Sequence, residues 1–336
     1  MGIKRYYAVA DNTITNAFEN NLVTRATASN MGASDILETF VIHGQTSASI
    51  SAETAEQSRV LIQFPIDKIL TDISNGVIPS SSVEYRLKMF NAPHADTTPI
   101  GYNLDVAMIT KAWSEGRGLD MNEYSDVGSS NWDERTVNVK WSKTGCDYNG
   151  NSTHSSSYFM SGGLEDLDLN VDFAVSKWRA IASAATNYGF VVKNSDTVIS
   201  GTLGTFFTKK FFGRTSDFFH KRPYLEARWD SSRKDNRGNF AVSSSLMPAA
   251  DNLNTLYLYN VVRGQLKNIP HIARNRLRVS LYTEKSNTAT PLNIVNSSNT
   301  SVTYVTGGLL YENGVEYTGI YTASFASTST TDPLYD

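Results

Sequence analysis

Metal-binding chemistry would need ligand residues at regular spacings, and this 336-residue sequence does not provide them. Its five histidines, at positions 43, 94, 154, 220 and 271, include no pair four residues apart, and there is one cysteine. Zinc sites use closer and more regular spacings. Segment 147–151 (DYNGN) resembles the start of a calcium loop, but no acidic residue follows at the distance that closes such a loop. We therefore interpret 147–151 as an Asn-Gly turn and predict no metal site.

Four acidic residues lie close together in the sequence and could act as general acids and bases or hold a cation. They are Glu165, Asp166, Asp168 and Asp172. Alternate residues of a strand point to opposite faces, and acids stabilise a helix N-terminus. The cluster is therefore interpreted as a solvated strand face followed by the start of a helix.

Motifs for nucleophilic catalysis and phosphate binding are also missing from the sequence. There is no Gly-x-Ser-x-Gly motif, and Cys146 has Lys143 nearby but no histidine. Gly201 and Gly204 are not followed by the Lys-Ser/Thr of a phosphate loop. We predict that the chain is not an enzyme, with no catalytic, cofactor-binding or metal-binding residues and no cofactor.

Composition limits the classes of partner. The net charge is −3, charged residues make up 19%, and there is no basic tail, so we expect no nucleic-acid partner. The basic and aromatic segment 209–214 (KKFFGR) is interpreted as a strand with one wet face. A single cysteine excludes an intrachain disulfide. We expect no secretory leader, no membrane span, and synthesis of a soluble chain in a cytoplasm.

The elements that would position these residues are mostly strands. The first 230 residues contain apolar or alternating runs separated by polar loops: 60–64 (VLIQF), 83–90 (VEYRLKMF), 104–109 (LDVAMI), 189–192 (GFVV) and 224–229 (YLEARW). Alternation in 83–90 predicts one packed and one wet face. Such spacing predicts an antiparallel β-sandwich.

Helical spacing occurs at two places. The apolar positions of the first helix are Val171, Val175, Trp178, Ile181 and Ala182. Asp172 would lie in its first turn or cap it. In segment 65–73, isoleucines and a leucine recur every three or four residues, which is a weaker indication of a helix.

A polar, charged run at 230–239 predicts a boundary between domain 1–230 and domain 231–336. Asn313-Gly314 lies between apolar runs and predicts a β-hairpin in the second domain. We expect this domain to be a smaller C-terminal β-sandwich. The polar tail 327–336 would be loose unless a neighbour holds it.

Residues 110–163 are rich in Gly, Ser, Asn and Asp and predict a long excursion between strands. Two of its tryptophans, Trp132 and Trp141, are candidates for a contact role such as stacking on a sugar ring. The other three tryptophans lie beside apolar strand or helix positions and are expected in the core.

Six short motifs follow one another in the first 230 residues: 10–13 (ADNT), 59–64 (RVLIQF), 113–116 (WSEG), 171–178 (VDFAVSKW), 187–190 (NYGF) and 222–225 (RPYL). Their order resembles that of the DNRLRE-type β-sandwich domain. The resemblance implies an N-terminal antiparallel β-sandwich with one short helix. Segments 114–157 and 206–219 depart from the simplest pattern of that domain.

The whole chain, including 209–214, 256–260 (LYLYN) and 319–325 (GIYTASF), is similar to virion structural proteins of tailed phages, particularly marine and cyanobacterial ones. This resemblance implies a particle component present in several copies, and it carries no catalytic residues across. We therefore predict an outer neck, tail or capsid-decoration protein, located in the virion. It would dock on other virion proteins and on copies of itself through 114–157, 206–219 and the C-terminal tail.

Two alternatives remain open at this point. A carbohydrate-binding or host-adhesion module would need exposed aromatic side chains beside Asp, Asn or Arg, and Trp132→Ala would then abolish glycan contact. A glycan depolymerase would need a close pair of buried carboxylates, which the sequence does not single out.

Overall fold

The structure, a computed structural model, describes residues 2–45, 53–93, 100–119, 122–180, 186–200, 206–244, 246–272, 276–286, 288–312, 314–329 and 335. The chain divides into two compact units. Unit 1 comprises 1–74 and 79–230, and unit 2 comprises 75–78 and 231–336.

Unit 1 consists mainly of strands. The strands are β1 (Gly2–Tyr7), β2 (Ala10–Thr15), β3 (Ile36–Gln45), β4 (Glu53–Gln63), β5 (Val83–Met89), β6 (Tyr102–Ile109), β7 (Glu134–Thr136), β8 (Val139–Lys140), β9 (Tyr148–Asn149), β10 (Ser155–Met160), β11 (Leu167–Asn170), β12 (Phe190–Asn194), β13 (Phe206–Phe212) and β14 (Tyr224–Trp229). The helices are α1 (Ile66–Ser74), α2 (Asp172–Arg179) and α3 (Asp196–Ile199).

Two antiparallel sheets form the sandwich of unit 1. The smaller has the order β1-β14-β5-β11, and the larger has the order β10-β6-β12-β4-β3-β13, with β2 on β4 and β9 on β6. Backbone pairing of Asn91 with Phe211 joins the end of β5 to the outer side of β13. The smaller sheet therefore ends at β1 on one side, where no described strand pairs with its outer edge.

Strand β5 shows how the sequence pattern builds the core. Tyr85, Leu87 and Met89 are buried, whereas the intervening Arg86 and Lys88 reach the carboxylate of Asp168 on β11, each at 2.5 Å. Period-two alternation thus places one face in the core and the other in water. The predicted wet and packed faces of 83–90 are confirmed.

Both predicted helices of unit 1 are present, and both are short. In α2, Val175 and Trp178 are buried, and Trp178 packs 4.9 Å from the ring of Phe190. Asp172 lies in the first turn, where its Oδ1 accepts the Tyr85 backbone N–H at 2.6 Å. Ile181 and Ala182, predicted to continue this face, lie outside the described residues.

The excursion after β6 folds back over the outer face of the larger sheet. There it forms a second core with the sheet, whose buried members are Ile14, Leu61, Ala107, Ile109, Trp132, Trp141, Cys146 and Val191. Trp132 and Trp141 are only 7% and 5% exposed, so the prediction that they are available for contacts is wrong. Burying an indole in this core removes more apolar area from water than leaving it on a loop surface.

Unit 2 is built around one four-stranded antiparallel sheet. Its strands are β15 (Asn254–Tyr259), β16 (Val261–Val262), β17 (Gln265–Leu266), β18 (Leu277–Val279), β19 (Ile294–Val295), β20 (Ser301–Val302), β21 (Val305–Glu312) and β22 (Val315–Phe325). The sheet order is β15-β22-β21-β18, and β16-β17 and β19-β20 form two-stranded ribbons. Glu312 pairs with Val315 across a tight turn in which Gly314 has φ +82, which confirms the predicted hairpin. Asn313 lies outside the described residues.

A small core fills unit 2. Leu256, Ala323 and Phe325 of the sheet pack with Leu281 and with Ile294 from the β19–β20 ribbon. Together with the sandwich of unit 1, this confirms the all-β prediction with a few short helices.

Candidate docking surface

The acidic residues that cluster in the sequence make local hydrogen bonds and ion pairs in the folded chain. Asp168 pairs with Arg86 and Lys88, and Asp166 accepts the Asn91 backbone N–H at 2.8 Å. Partial burial opposes ionisation of Glu165, but hydrogen bonds from the Gly162 N–H and the Ser161 hydroxyl outweigh it and lower its pKa to about 2. Each carboxylate therefore has its own local partner, as expected for a wet strand face and a helix start.

The other candidates for chemistry are also engaged in structure. Asp147 accepts the N–H groups of Ser142 and Lys143 and closes the loop before it. The predicted turn at 147–151 is misplaced, because Tyr148 and Asn149 form β9 on β6, and the turn follows it, where the His154 N–H donates to the Asn151 carbonyl at 2.7 Å. Cys146 is buried beside Trp132, and burial raises the pKa of its thiol. The described residues contain no cluster of three metal-ligating side chains, and none of their helices is long and apolar enough to cross a membrane.

Basic residues of the 209–214 segment point in two directions. Lys209 is fully buried, and its Nζ donates to Asn91 Oδ1 at 2.7 Å and to the carbonyl oxygens of Gly163 and Glu165 at 3.1 and 2.7 Å. Lys210 instead lies 3.6 Å from the carboxylate of Glu38 on the neighbouring strand. The prediction of one wet face for this segment is therefore wrong, because Lys209 is buried with its ammonium satisfied by three oxygen acceptors.

Exposed aromatic side chains follow directly after this segment. Phe218 and Phe219 are 64% and 51% exposed, and the ring of Phe219 lies 4.9 Å from that of Tyr7 on β1. Lys221 and Arg222 follow, and we call Tyr7 with residues 217–222 the aromatic turn. Large apolar side chains at the surface commonly mark a contact site.

The aromatic turn is held in one conformation by its backbone. The Phe218 N–H donates to Ser216 Oγ at 3.2 Å, and the Lys221 N–H donates to the Phe218 carbonyl at 2.8 Å. Arg222 Nε donates to the Ser216 carbonyl at 2.7 Å, while its guanidinium lies 5.6 Å from the Phe219 ring. The two phenylalanines are thus presented on a rigid support, which lowers the entropy lost on binding.

A groove of about 490 Å³ adjoins the aromatic turn through Tyr7. It runs between β1, at the open edge of the smaller sheet, and helix α1. One end is fixed by Asp72 of α1, which accepts a hydrogen bond from the Tyr6 hydroxyl at 2.6 Å and pairs with Lys4 at 2.8 Å. Burial works against ionisation of Asp72, but these two contacts prevail and lower its pKa.

Groove and turn together carry an excess of positive charge. In the groove, Lys4 pairs with Asp72 at 2.8 Å and Arg5 with Glu226 at 2.9 Å, which leaves Lys68; the turn adds Lys221 and Arg222 against one acid, Asp217. Lys68, Lys221 and Arg222 form no ion pair with any residue that the structure describes. A partner of opposite charge would therefore be favoured.

The three predicted interface segments differ in how far the structure exposes them. In 114–157 the tryptophans are buried, but Val127 and Val137 remain 79% and 64% exposed on a groove of about 550 Å³. Segment 206–219 supplies the exposed phenylalanines of the aromatic turn. In the tail, Tyr335 pairs with Tyr282 through two backbone hydrogen bonds, whereas 330–334 and 336 lie outside the described residues.

Strand β1 was missed by the sequence analysis, although it forms half of this surface. Its residues Lys4, Arg5, Tyr6 and Tyr7, two charged residues followed by two aromatic ones, give only the weak signal of a charged edge strand. Neither a family model nor a curated protein sequence matches the chain. The two resemblances given above therefore stay predictions.

Proposed function

We propose that the chain is a structural component of a tailed-phage virion, an outer neck, tail or capsid-decoration protein that acts by protein–protein docking. The order of the six motifs supports the DNRLRE-like assignment of unit 1. The observation that carries the proposal is the aromatic turn beside the open edge of β1, because it joins exposed aromatic anchors to an unpaired sheet edge.

The occupant that fits this surface is an extended, acidic segment of another virion protein. Its backbone would pair with the outer edge of β1, and its apolar side chains would contact Phe218 and Phe219. Lys68, Lys221 and Arg222 have no ion-pair partner among the described residues and favour an acidic segment, whereas Lys4 and Arg5 on the edge are already paired with Asp72 and Glu226. Repetition of the contact by particle symmetry would add contacts between copies of the chain.

Purified virions provide the test. A photo-cross-linking amino acid at Phe218 is expected to capture one virion protein through an acidic peptide, identified by mass spectrometry. The same substitution at Phe159, a phenylalanine of similar exposure (59%) on β10, is the matched control and is expected to capture none there. Absence of the chain from purified virions would overturn the proposal.

The alternative of a glycan-binding module cannot rest on Trp132, because its indole is buried in the second core. A different feature of unit 2 favours glycan binding, and it is independent of the aromatic turn.

A further inference from the structure

Unit 2 carries a polar groove of about 620 Å³ beside its sheet. It lies between the β19–β20 ribbon and the beginning of β21, and it is separate in the chain from every residue of the aromatic turn. Its principal side chains are Asn293, Ser301, Thr303, Tyr304, Thr306 and Ser324. We call it the ribbon groove.

The lining of the ribbon groove is neutral and rich in hydrogen-bonding groups. Its described residues are amides, hydroxyls and one phenol, with Val302 and Val305 as the apolar members, and none of them is charged. Asn293, Ser301, Thr303 and Thr306 make no side-chain hydrogen bond with any residue in the described ranges. Amides and hydroxyls both donate and accept, which matches the hydroxyl groups of a sugar.

Tyr304 adds an aromatic platform to these polar groups. Its side chain is 40% exposed, and the guanidinium of Arg278 lies over the ring at 4.6 Å from the centroid. Arg278 belongs to β18, the neighbour of β21 in the sheet, so the cation–π contact holds the ring against the sheet. An exposed, fixed aromatic ring beside hydrogen-bonding side chains suits the apolar face of a pyranose.

The ribbon groove is also preorganised. Val295 and Ala326 exchange two backbone hydrogen bonds, at 2.9 and 2.8 Å, and these tie the ribbon to the end of β22. Asn296 Oδ1 accepts the N–H groups of Ser298 and Thr300 and closes the turn of the ribbon. A ligand therefore meets side chains on fixed backbone, so that little ordering cost accompanies binding.

The charges at the ribbon groove favour one class of ligand over the others. At this site the structure places one cation, Arg278, against the lining. A single positive charge is too little to hold a nucleic acid or another polyanion. Among the described residues no carboxylate lines the groove, so a cation would lack a charged oxygen ligand there. We propose that the ribbon groove binds a neutral glycan, with a pyranose ring on Tyr304 and its hydroxyls on the Asn, Ser and Thr side chains.

Saturation-transfer NMR on the full chain tests this site. The probes are neutral oligosaccharides of glucose, galactose, mannose and N-acetylglucosamine at millimolar concentration, with sulfated and uronic-acid oligosaccharides for comparison. We expect transfer to at least one neutral oligosaccharide, with the strongest signals on ring C–H protons. Transfer to none of them, or to acidic ones alone, would overturn the proposal.

Variants then locate the binding. Tyr304→Ala is expected to weaken the affinity about tenfold, which corresponds to about 1.4 kcal/mol, while Tyr304→Phe keeps the ring and most of the affinity. Thr303→Val, which removes an exposed hydroxyl at nearly constant volume, is expected to weaken binding less than Tyr304→Ala. Tyr311→Ala is the matched control, since Tyr311 is an exposed tyrosine of β21, the strand that begins directly after Tyr304, and it does not line the groove.

Equal losses in the Tyr304 and Tyr311 alanine variants would overturn the assignment to the ribbon groove. Thermal unfolding of each variant checks that unit 2 remains folded. Cross-linking from Phe218 reports on a different unit, so the docking proposal and the glycan proposal can fail separately.

Discussion

The Glu115 carboxylate accepts the backbone N–H of Asp11 at 2.8 Å, which brings together two acidic residues 104 positions apart in the sequence. Arg214 links them, because its guanidinium donates two hydrogen bonds to Glu115 and its backbone N–H donates to Asp11 Oδ2 at 2.6 Å. Asp11 Oδ1 is buried with no hydrogen-bond partner among the described residues. These contacts link strand β2, the start of the excursion and the turn after β13.

Asp11 makes the stability of unit 1 depend on pH. Burial raises the pKa of Asp11 to about 7; the nearby Glu115 carboxylate also raises it, whereas the hydrogen bond from the Arg214 N–H and the Arg214 charge oppose the rise without cancelling it. Between about pH 4 and pH 7 the folded state therefore holds a proton that the unfolded chain has released, so stability falls as pH rises. Relative to Asp11→Asn, the wild-type free energy of unfolding is expected to fall by at most about 4 kcal/mol across this window.

Urea unfolding at several pH values measures this difference. Asn can still accept the Arg214 N–H, so the contrast isolates the charge of Asp11. Parallel pH profiles for the two proteins would show that Asp11 ionises normally.

Replacing Trp132 tests the second core. Its indole is 7% exposed and lies 4.8 Å from the guanidinium of Arg59. Trp132→Ala is expected to lower the free energy of unfolding by about 3–5 kcal/mol, because it opens a cavity between the excursion and the sheet. Phe159→Ala on the exposed edge strand is the control, with an expected change within about 0.5 kcal/mol; equal effects in urea titrations would contradict the buried placement.

Gly189 combines two constraints at the start of β12. It has φ +83, and a Cβ atom there would lie 2.1 Å from the Ile62 carbonyl oxygen. Gly101 has a similar φ of +75 with no atom within 4 Å of such a Cβ, so it is a matched control in the same unit. Gly189→Ala is expected to cost about 2 kcal/mol more than Gly101→Ala in thermal unfolding, the difference being the steric clash.

Lys209 gives a pH dependence in the opposite direction. Burial lowers its pKa to about 8, and the attraction of Glu165 and Asp166 only partly restores it. Between about pH 8 and pH 10.5 the unfolded chain retains the proton that the folded state has lost, so stability rises with pH. Relative to Lys209→Met, the wild type is expected to gain at most about 3 kcal/mol across this window.

Urea unfolding at several pH values in this alkaline window measures the rise, and a second variant, Lys210→Met, is the control. Lys210→Met leaves the buried amine in place and is expected to preserve the rise. Loss of the rise in Lys210→Met would assign the effect to the neighbouring residue.

Local patterns made much of the fold predictable. Alternation in β5, the helical spacing of Val175 and Trp178, and the Asn-Gly turn before β22 each depend on residues near one another in the chain. These elements appear in the structure where the sequence predicts them.

Long-range contacts set the limit of that prediction. The excursion has no periodic pattern, so its burial over the sheet is indicated only by its tryptophans and by the apolar run 60–64, in which Leu61 faces away from Val60 and Ile62. No local sequence pattern predicts the contact between Asp11 and Glu115 or the pairing of β1 with β14. Phe218 and Phe219 of the aromatic turn lie at the end of segment 206–219, which was singled out from the sequence as an interface, whereas no local pattern brings in Tyr7, which contacts Phe219 only in the folded chain.

The returning excursion makes the larger sheet apolar on both faces, and this constrains how the chain can change over evolution. A shortened relative without Trp132, Trp141 and their flanking loop would present Leu61, Ala107 and Val191 to solvent and would tend to aggregate. Loss of the insertion therefore requires polar replacements on the outer face of the sheet at the same time. Insertion and outer strand residues should accordingly co-vary among related sequences, as a single inherited module.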